Sequence, residues 1–232
     1  MPETNCVYSN VWLKMTNEAS LRLIGVKTKP LDTTRTDVIL STSRGDIRGI
    51  LNPASGSAGV IWVCGALGGL DGPSFGIFKD LSQELIAEGI TSLRLDYRVP
   101  GDVPQCVLDV LVGIHFLGQE GIEDVGLVGH SFGGAVVIQA GVMSPQVKAV
   151  VGLSSQTYGA HPVDKLSPKP LLLVHGERDR NLPADCSRQI YQWAREPKEL
   201  VIYQNNGHFL RESHDELHDL LKDWLVDRLK RK

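Results

Sequence analysis

The sequence predicts an α/β protein, with a mostly parallel central sheet and helices packed on both faces. Two observations point there. Short apolar runs such as Gly59–Cys64 (Gly-Val-Ile-Trp-Val-Cys) recur along the chain, the signature of strands buried on both faces. Between them stand longer stretches with apolar residues at helical spacing, as in Val103, Val107, Val110, Leu111 and Ile114. Strands that alternate with helices favour parallel pairing and right-handed crossovers. At 232 residues, 42% hydrophobic and 22% charged, the chain is long enough to bury one full core and does not demand a second.

The elements follow in order from Asp37. Asp37–Ser43 and Asp46–Leu51 flank Arg44-Gly45, a hairpin turn. Gly59–Cys64 is the first buried strand. Phe75, Phe78, Leu81 and Leu85 fall at helical spacing, and Gly89 stops that helix. Ile90–Leu95 is a strand, the stripe from Val103 to Ile114 a helix, and Val125–Val128 the next strand. A helix opening after Ser131 leads to the strand Val147–Leu153. Pro170–Val174, a helix beginning near Pro183, and the strand Leu200–Tyr203 follow. The last helix carries Leu217, Leu221, Trp224 and Leu225 on one face and ends in basic residues that complement its dipole. Before Thr36 the pattern is ambiguous, and Val11–Leu13 and Leu21–Val26 read as strands or as a short helix. In a sheet of this kind, ligands gather beyond the carboxyl ends of the strands.

A formal net charge of −3 gives no basic footprint for nucleic acid and no reason to expect a membrane surface as partner. No run approaches the ~20 apolar residues of a membrane-spanning helix. The opening residues mix Glu3, Lys14 and Glu18 with apolar ones, unlike an export signal, so the expected location is cytoplasmic. Cys6, Cys64, Cys106 and Cys186 are widely spaced, with neither a C-x-x-C pair nor a zinc spacing, and are expected as reduced thiols. His214 and His218 stand four apart on a helix, but Glu216 comes one place later than a zinc-protease motif requires. No metal and no cofactor are expected.

Gly129-His130-Ser131-Phe132-Gly133 follows the strand Val125–Val128 directly and opens a helix. G-x-S-x-G between a strand and a helix is the nucleophile elbow. So tight a turn strains the serine backbone, and the flanking glycines remove Cβ atoms that would collide with neighbouring elements. The hydroxyl is lifted to a helix amino end, where the dipole favours negative charge. Serine needs a neighbouring base near neutral pH. Two later strands end in loops with candidates on the same side of the sheet. These are His175-Gly176-Glu177-Arg178-Asp179 and Asn206-Gly207-His208-Phe209. His208 is the candidate base, and Asp179, with Glu177 as the alternative, is the acid that fixes its tautomer. His175 reads as structural at the strand end, and His115 and His161 receive no role.

Together these stretches resemble the α/β-hydrolase superfamily. Gly-His-Ser-Phe-Gly matches its elbow, His-Gly-Glu-Arg-Asp its acid loop and Gly-His-Phe its histidine loop, in the family's order. Asp96-Tyr97-Arg98 is similar to a further loop motif, interrupted by Val99-Pro100. The resemblance covers residues 37–232, which it implies form an α/β-hydrolase catalytic domain, and leaves 1–36 as an N-terminal extension of unassigned structure. It implies a triad of Ser131, Asp179 and His208. It also implies an oxyanion hole from the backbone N–H of Phe132 and, in the loop after Gly59–Cys64, that of Ala66 or else Leu67. Cys64 departs from the family, standing where a histidine commonly braces that loop. Many members insert a cap domain between the sixth and seventh strands. Here only Ser154–Lys169 fill that interval, so an open site with no cap is expected.

Leu67, Leu70, Phe75 and Tyr158, with Phe132, are candidates for an apolar acyl pocket. The layout is similar to the lidless esterases and to the dienelactone-hydrolase-like branch, although the cysteine nucleophile typical of the latter is absent. The implied substrate is a small carboxylic ester of short to medium acyl chain, cleaved through an acyl-enzyme by a carboxylesterase reaction. Amide or peptide hydrolysis by the same triad, and a hydrolase-fold protein that binds without turnover, stand as alternatives.

Overall fold

The computed structural model describes residues 4–6, 12–14 and 20–230. Strands and helices alternate through them. The antiparallel part comprises β1 (Thr4–Cys6), β2 (Trp12–Lys14), β3 (Ser20–Pro30), β4 (Thr36–Thr42) and β5 (Gly45–Asn52). Then come β6 (Ala58–Val63), α1 (Ile77–Glu84), β7 (Ile90–Asp96), α2 (Val103–Gln119), β8 (Asp124–His130) and α3 (Phe132–Met143). The chain continues through β9 (Val147–Leu153), β10 (Leu171–Gly176), α4 (Asp185–Trp193), β11 (Lys198–Tyr203) and α5 (His214–Lys230).

The sheet runs β1-β3-β4-β5-β7-β6-β8-β9-β10-β11, and β2 pairs with β3 off this path. From β7 to β11 every pairing is parallel. The chain leaves β6 for β7 on one side, then crosses back to β8 on the other. The carboxyl ends of β6 and β8 therefore flank the point where the winding reverses, the place where such sheets bind ligands.

Period-two alternation sorts the core into two layers. Val60 and Trp62 of β6 pack with Phe78 and Leu81 of α1 and with Leu221 and Leu225 of α5. Ile61 and Val63 point the other way, into a layer with α2, α3 and Ile190 of α4. α3 has no polar face because it is buried, lying against both α2 and the sheet. Asp102 caps α2 by accepting from the Gln105 N–H at 3.0 Å.

Three expectations shift. The helix expected over Phe75–Leu85 begins at Ile77, because Ser74, Phe75 and Gly76 all take positive φ (48°, 60° and 98°) and coil the chain before the helix starts. Its last regular turn ends at Leu85, and Gly89 closes the turn that follows. The ambiguous Leu21–Val26 is strand, within β3, whose Leu21, Leu23 and Val26 are buried in the same layer as Val38 and Leu40. The sheet is thus continuous across residue 36, where the sequence suggested a boundary. Val11, from the other ambiguous stretch, lies outside the described residues, while Trp12 and Leu13 belong to β2. Among the described residues, no helix is long and apolar enough to cross a membrane.

Candidate active site

β8 ends at His130 and α3 begins at Phe132, so a single residue, Ser131, makes the whole turn. Its backbone sits at φ 58°, ψ −118°, where a non-glycine residue is strained. The positions two before and two after it must be glycines. A Cβ on Gly129 would lie 2.2 Å from the Gly133 carbonyl oxygen, and one on Gly133 would lie 2.4 Å from that of Cys64. The Ser131 N–H is tied to the Leu153 carbonyl at 2.7 Å. The N–H of Phe132, at the first helical position, has no partner within the helix.

On the neighbouring strand ends, His208 Nδ1 donates to Asp179 Oδ2 at 2.6 Å. Asp179 Oδ1 accepts from the N–H groups of Asn181 (2.8 Å) and Leu182 (2.9 Å). Burial works to raise the Asp179 carboxyl, but the donors from Leu182, His208 and Asn181 outweigh it and hold the group below its ordinary value. Asp179 is therefore a charged, fully enclosed acceptor whose side chain cannot rotate freely. Glu177, the rival acid, instead pairs with Arg188 at the surface. His130 packs against the His208 ring, with centroids 4.8 Å apart and the planes tilted by 50°, and its Nε2 bonds the His208 carbonyl at 3.0 Å. Burial pushes His130 down to about 4, so this ring is neutral.

Ser131, His130, Phe132 and His208 line one cleft of about 670 Å³, walled by the loop 65–72 and by Gln156, Leu182 and Phe209. Among the described residues no hydrogen bond joins Ser131 Oγ to His208, and such contacts often tighten only with substrate in place. Gly65–Gly68 is a turn closed by a 3.0 Å bond from the Gly68 N–H to the Gly65 carbonyl, and it abuts Ser131 directly. Ala66 and Leu67 are its central residues, whose N–H groups the turn itself does not use. The loop lacks a bracing histidine, and the last residue of β7 together with the one that follows it does that work instead. Asp96 Oδ1 accepts from the Gly69 N–H at 2.8 Å, and Tyr97 Oη donates to the Cys64 carbonyl at 3.3 Å. The Cys64 thiol is pushed up to about 11 by burial and stays protonated.

Of the expected pocket residues, Leu67 and Leu70 line this cleft, and Phe75 and Tyr158 do not. The positive-φ coil turns Phe75 outward against His214, with Arg211 over its ring. Tyr158 is 75% exposed, and it serves the cleft only through its carbonyl, which accepts from Gln156 Nε2 at 2.8 Å. The sequence reading missed Gln156, Asn181, Leu182 and Phe209. The last three had a signal, since each sits within three residues of Asp179 or beside His208. His214 and His218 have separate partners, Ser74 Oγ and Glu84. Ser74 also binds the Phe209 and Leu210 carbonyls, stapling the loop after β6 to the His208 loop.

Solved structures share this architecture. An α/β hydrolase, GrgF from Penicillium sp. sh18, superposes with a TM-score of 0.72 at 18% identity, covering 85% of this chain and 99% of that one. A dienelactone hydrolase from Anabaena variabilis gives 0.70 at 18%, covering 85% and 100%. The esterase domain of a Rhodothermus marinus protein gives 0.69 at 20%, covering 83% and 98%. The fold is that of the α/β hydrolases, with no cap domain. In sequence, the uncharacterized protein YfhR of Escherichia coli is 35% identical over 69 residues, 30% of this chain and 24% of that protein. The match thus spans about a quarter of the relative's length. The family model for dienelactone hydrolases matches residues 105–222, just over half of the chain and the stretch that holds Ser131, Asp179 and His208. The chain belongs to the dienelactone hydrolase family.

Proposed function

We propose that this protein is a serine hydrolase that cleaves short- to medium-chain carboxylic esters through an acyl-enzyme. The observation that carries the reading is the 2.6 Å Asp179–His208 hydrogen bond facing the same cleft as a strained Ser131 at a helix amino end. Ser131 Oγ attacks the ester carbonyl carbon, and His208 Nε2 takes the hydroxyl proton. Asp179 holds the ring with Nδ1–H toward itself and offsets the imidazolium charge. The N–H groups of Phe132 and Ala66 receive the oxyanion, with Leu67 as the second choice beside Ala66. As the intermediate collapses, the alcohol leaves with the proton from His208. Water then repeats the sequence against the acyl-serine, releasing the acid.

A serine in place of a thiol asks more of its base, because a hydroxyl is the weaker nucleophile at neutral pH. The fully satisfied Asp179 suits that demand. Esterases among the structural neighbours agree with the ester assignment. A fluorophosphonate probe tests the reading. It should label the unaltered protein, and Ser131→Ala should abolish labelling and cut ester turnover by several orders of magnitude, while leaving at most about 10³-fold over water. Full labelling of the alanine variant would remove Ser131 from the mechanism.

A further inference from the structure

His175 is fully buried at the end of β10 and takes no part in the steps above. Both of its ring nitrogens are engaged. Nε2 lies 3.1 Å from Asp179 Oδ2 and 3.0 Å from the Leu182 carbonyl oxygen, and Nδ1 lies 2.7 Å from Ser187 Oγ. The two partners of Nε2 only accept, so Nε2 carries the proton, and Nδ1 accepts from the buried Ser187 hydroxyl. Burial holds this ring below its ordinary pKa, against the pull of the Leu182 carbonyl and Asp179, so it is neutral. Its tautomer is fixed from both ends.

Asp179 Oδ2 consequently serves two imidazoles, His208 at 2.6 Å and His175 at 3.1 Å, while Oδ1 serves two backbone N–H groups. An oxygen shared between two donors gives less charge to each. We infer that His175 is a positioning residue, which holds Asp179 Oδ2 in line with His208 Nδ1 and limits how tightly that carboxylate grips the imidazolium. This rests on the hydrolase reading. The other titratable groups facing the network are His130 from β8, Cys186 from α4 and Glu212 from the turn before α5. The neutral His130 ring contributes no charge of its own.

His175→Phe keeps a ring and removes the donor. His175→Phe/Ser187→Ala also removes the hydroxyl that would be left unpaired, which protects the fold. His175→Gln returns an amide N–H near the position of Nε2. Both phenylalanine variants should lower kcat/KM at least about tenfold, mainly in kcat. They should also move the acid limb of the pH profile upward by about half a unit or more, because the unshared carboxylate holds a charged His208 more strongly. The glutamine variant should restore the limb. The substrate-free NMR titration of the His208 ring should move the same way. An unmoved limb and an unmoved ring titration in the folded double variant would overturn the inference and leave His175 as packing. Absence of fluorophosphonate labelling in the unaltered protein would instead strike the hydrolase reading, and the ring titration would still decide the tie between His175 and His208.

Discussion

Asp179 holds four hydrogen bonds through a side chain enclosed by protein, and that arrangement separates its two contributions. In the proposed mechanism it orients a ring. Asp179→Asn keeps the shape but presents an amide to His208 and favours the wrong tautomer, so turnover should fall by up to about 10⁴-fold. Glu177→Gln, altering a surface partner of Arg188, should leave turnover within about twofold. The reverse pattern would mean that the carboxylates are exchanged. In stability the sign follows from a folded pKa held below its ordinary value. The contribution is present above the unfolded pKa of about 3.9 and is lost as pH falls through the folded value. Acid denaturation should therefore steepen below about pH 4 in the unaltered protein, and Asp179→Asn should lack that component.

At the level of elements, Arg98 joins the end of β7 to α2. Its Nε bonds Asp109 Oδ1, its own N–H bonds Oδ2, and its Nη2 reaches Gln105. Both side chains are enclosed, and burial pushes Asp109 up to about 6 in spite of the guanidinium. Desolvation thus outweighs attraction at this carboxylate. Asp109→Ala leaves a buried cation alone and should cost about 3–5 kcal/mol in denaturant unfolding, whereas Asp109→Leu/Arg98→Met should recover most of it. A double variant as unstable as the single one would refute this account of the pair. The strands from β6 to β10 were legible in the sequence because burial on both faces leaves nearly unbroken apolar runs, while β11, half-buried at the sheet edge, showed only as the short run Leu200–Tyr203. β3 was not legible, because a register shift between Leu23 and Gly25 breaks its alternation, leaving Leu21, Leu23 and Val26 at a spacing that fits neither period. The candidate site was legible where a motif fixes a residue to a strand end, as at Ser131, Asp179 and His208. It failed at Phe75 and Tyr158, since the direction of a loop side chain depends on coil geometry that spacing does not encode.

For the molecule as a whole, the interval between β9 and β10 holds only a short 3-10 turn, His161–Lys165, so no separate layer covers the cleft. Under the proposed function, only the cleft walls would bury the acyl chain. Each methylene that fits contributes about 0.8 kcal/mol, roughly fourfold in kcat/KM, until the wall ends. We expect p-nitrophenyl esters of about two to six acyl carbons to be best, with no jump in rate when the ester forms droplets. A sharp rise at the solubility limit, or a preference for about twelve carbons or more, would contradict an uncapped cleft. The staple from Ser74 to Phe209, Leu210 and His214 spans more than half the chain, and α1 shares its layer with α5, the last element. During synthesis the amino-terminal part emerges first, so Phe78 and Leu81 wait exposed until residues 214–230 arrive, and the cleft closes its outline only then. A chain halted with residues 1–213 outside the exit tunnel, so that Ser131, Asp179 and His208 are all present, should carry its sheet yet bind hydrophobic dyes and react poorly with the fluorophosphonate, gaining full reactivity only once α5 emerges.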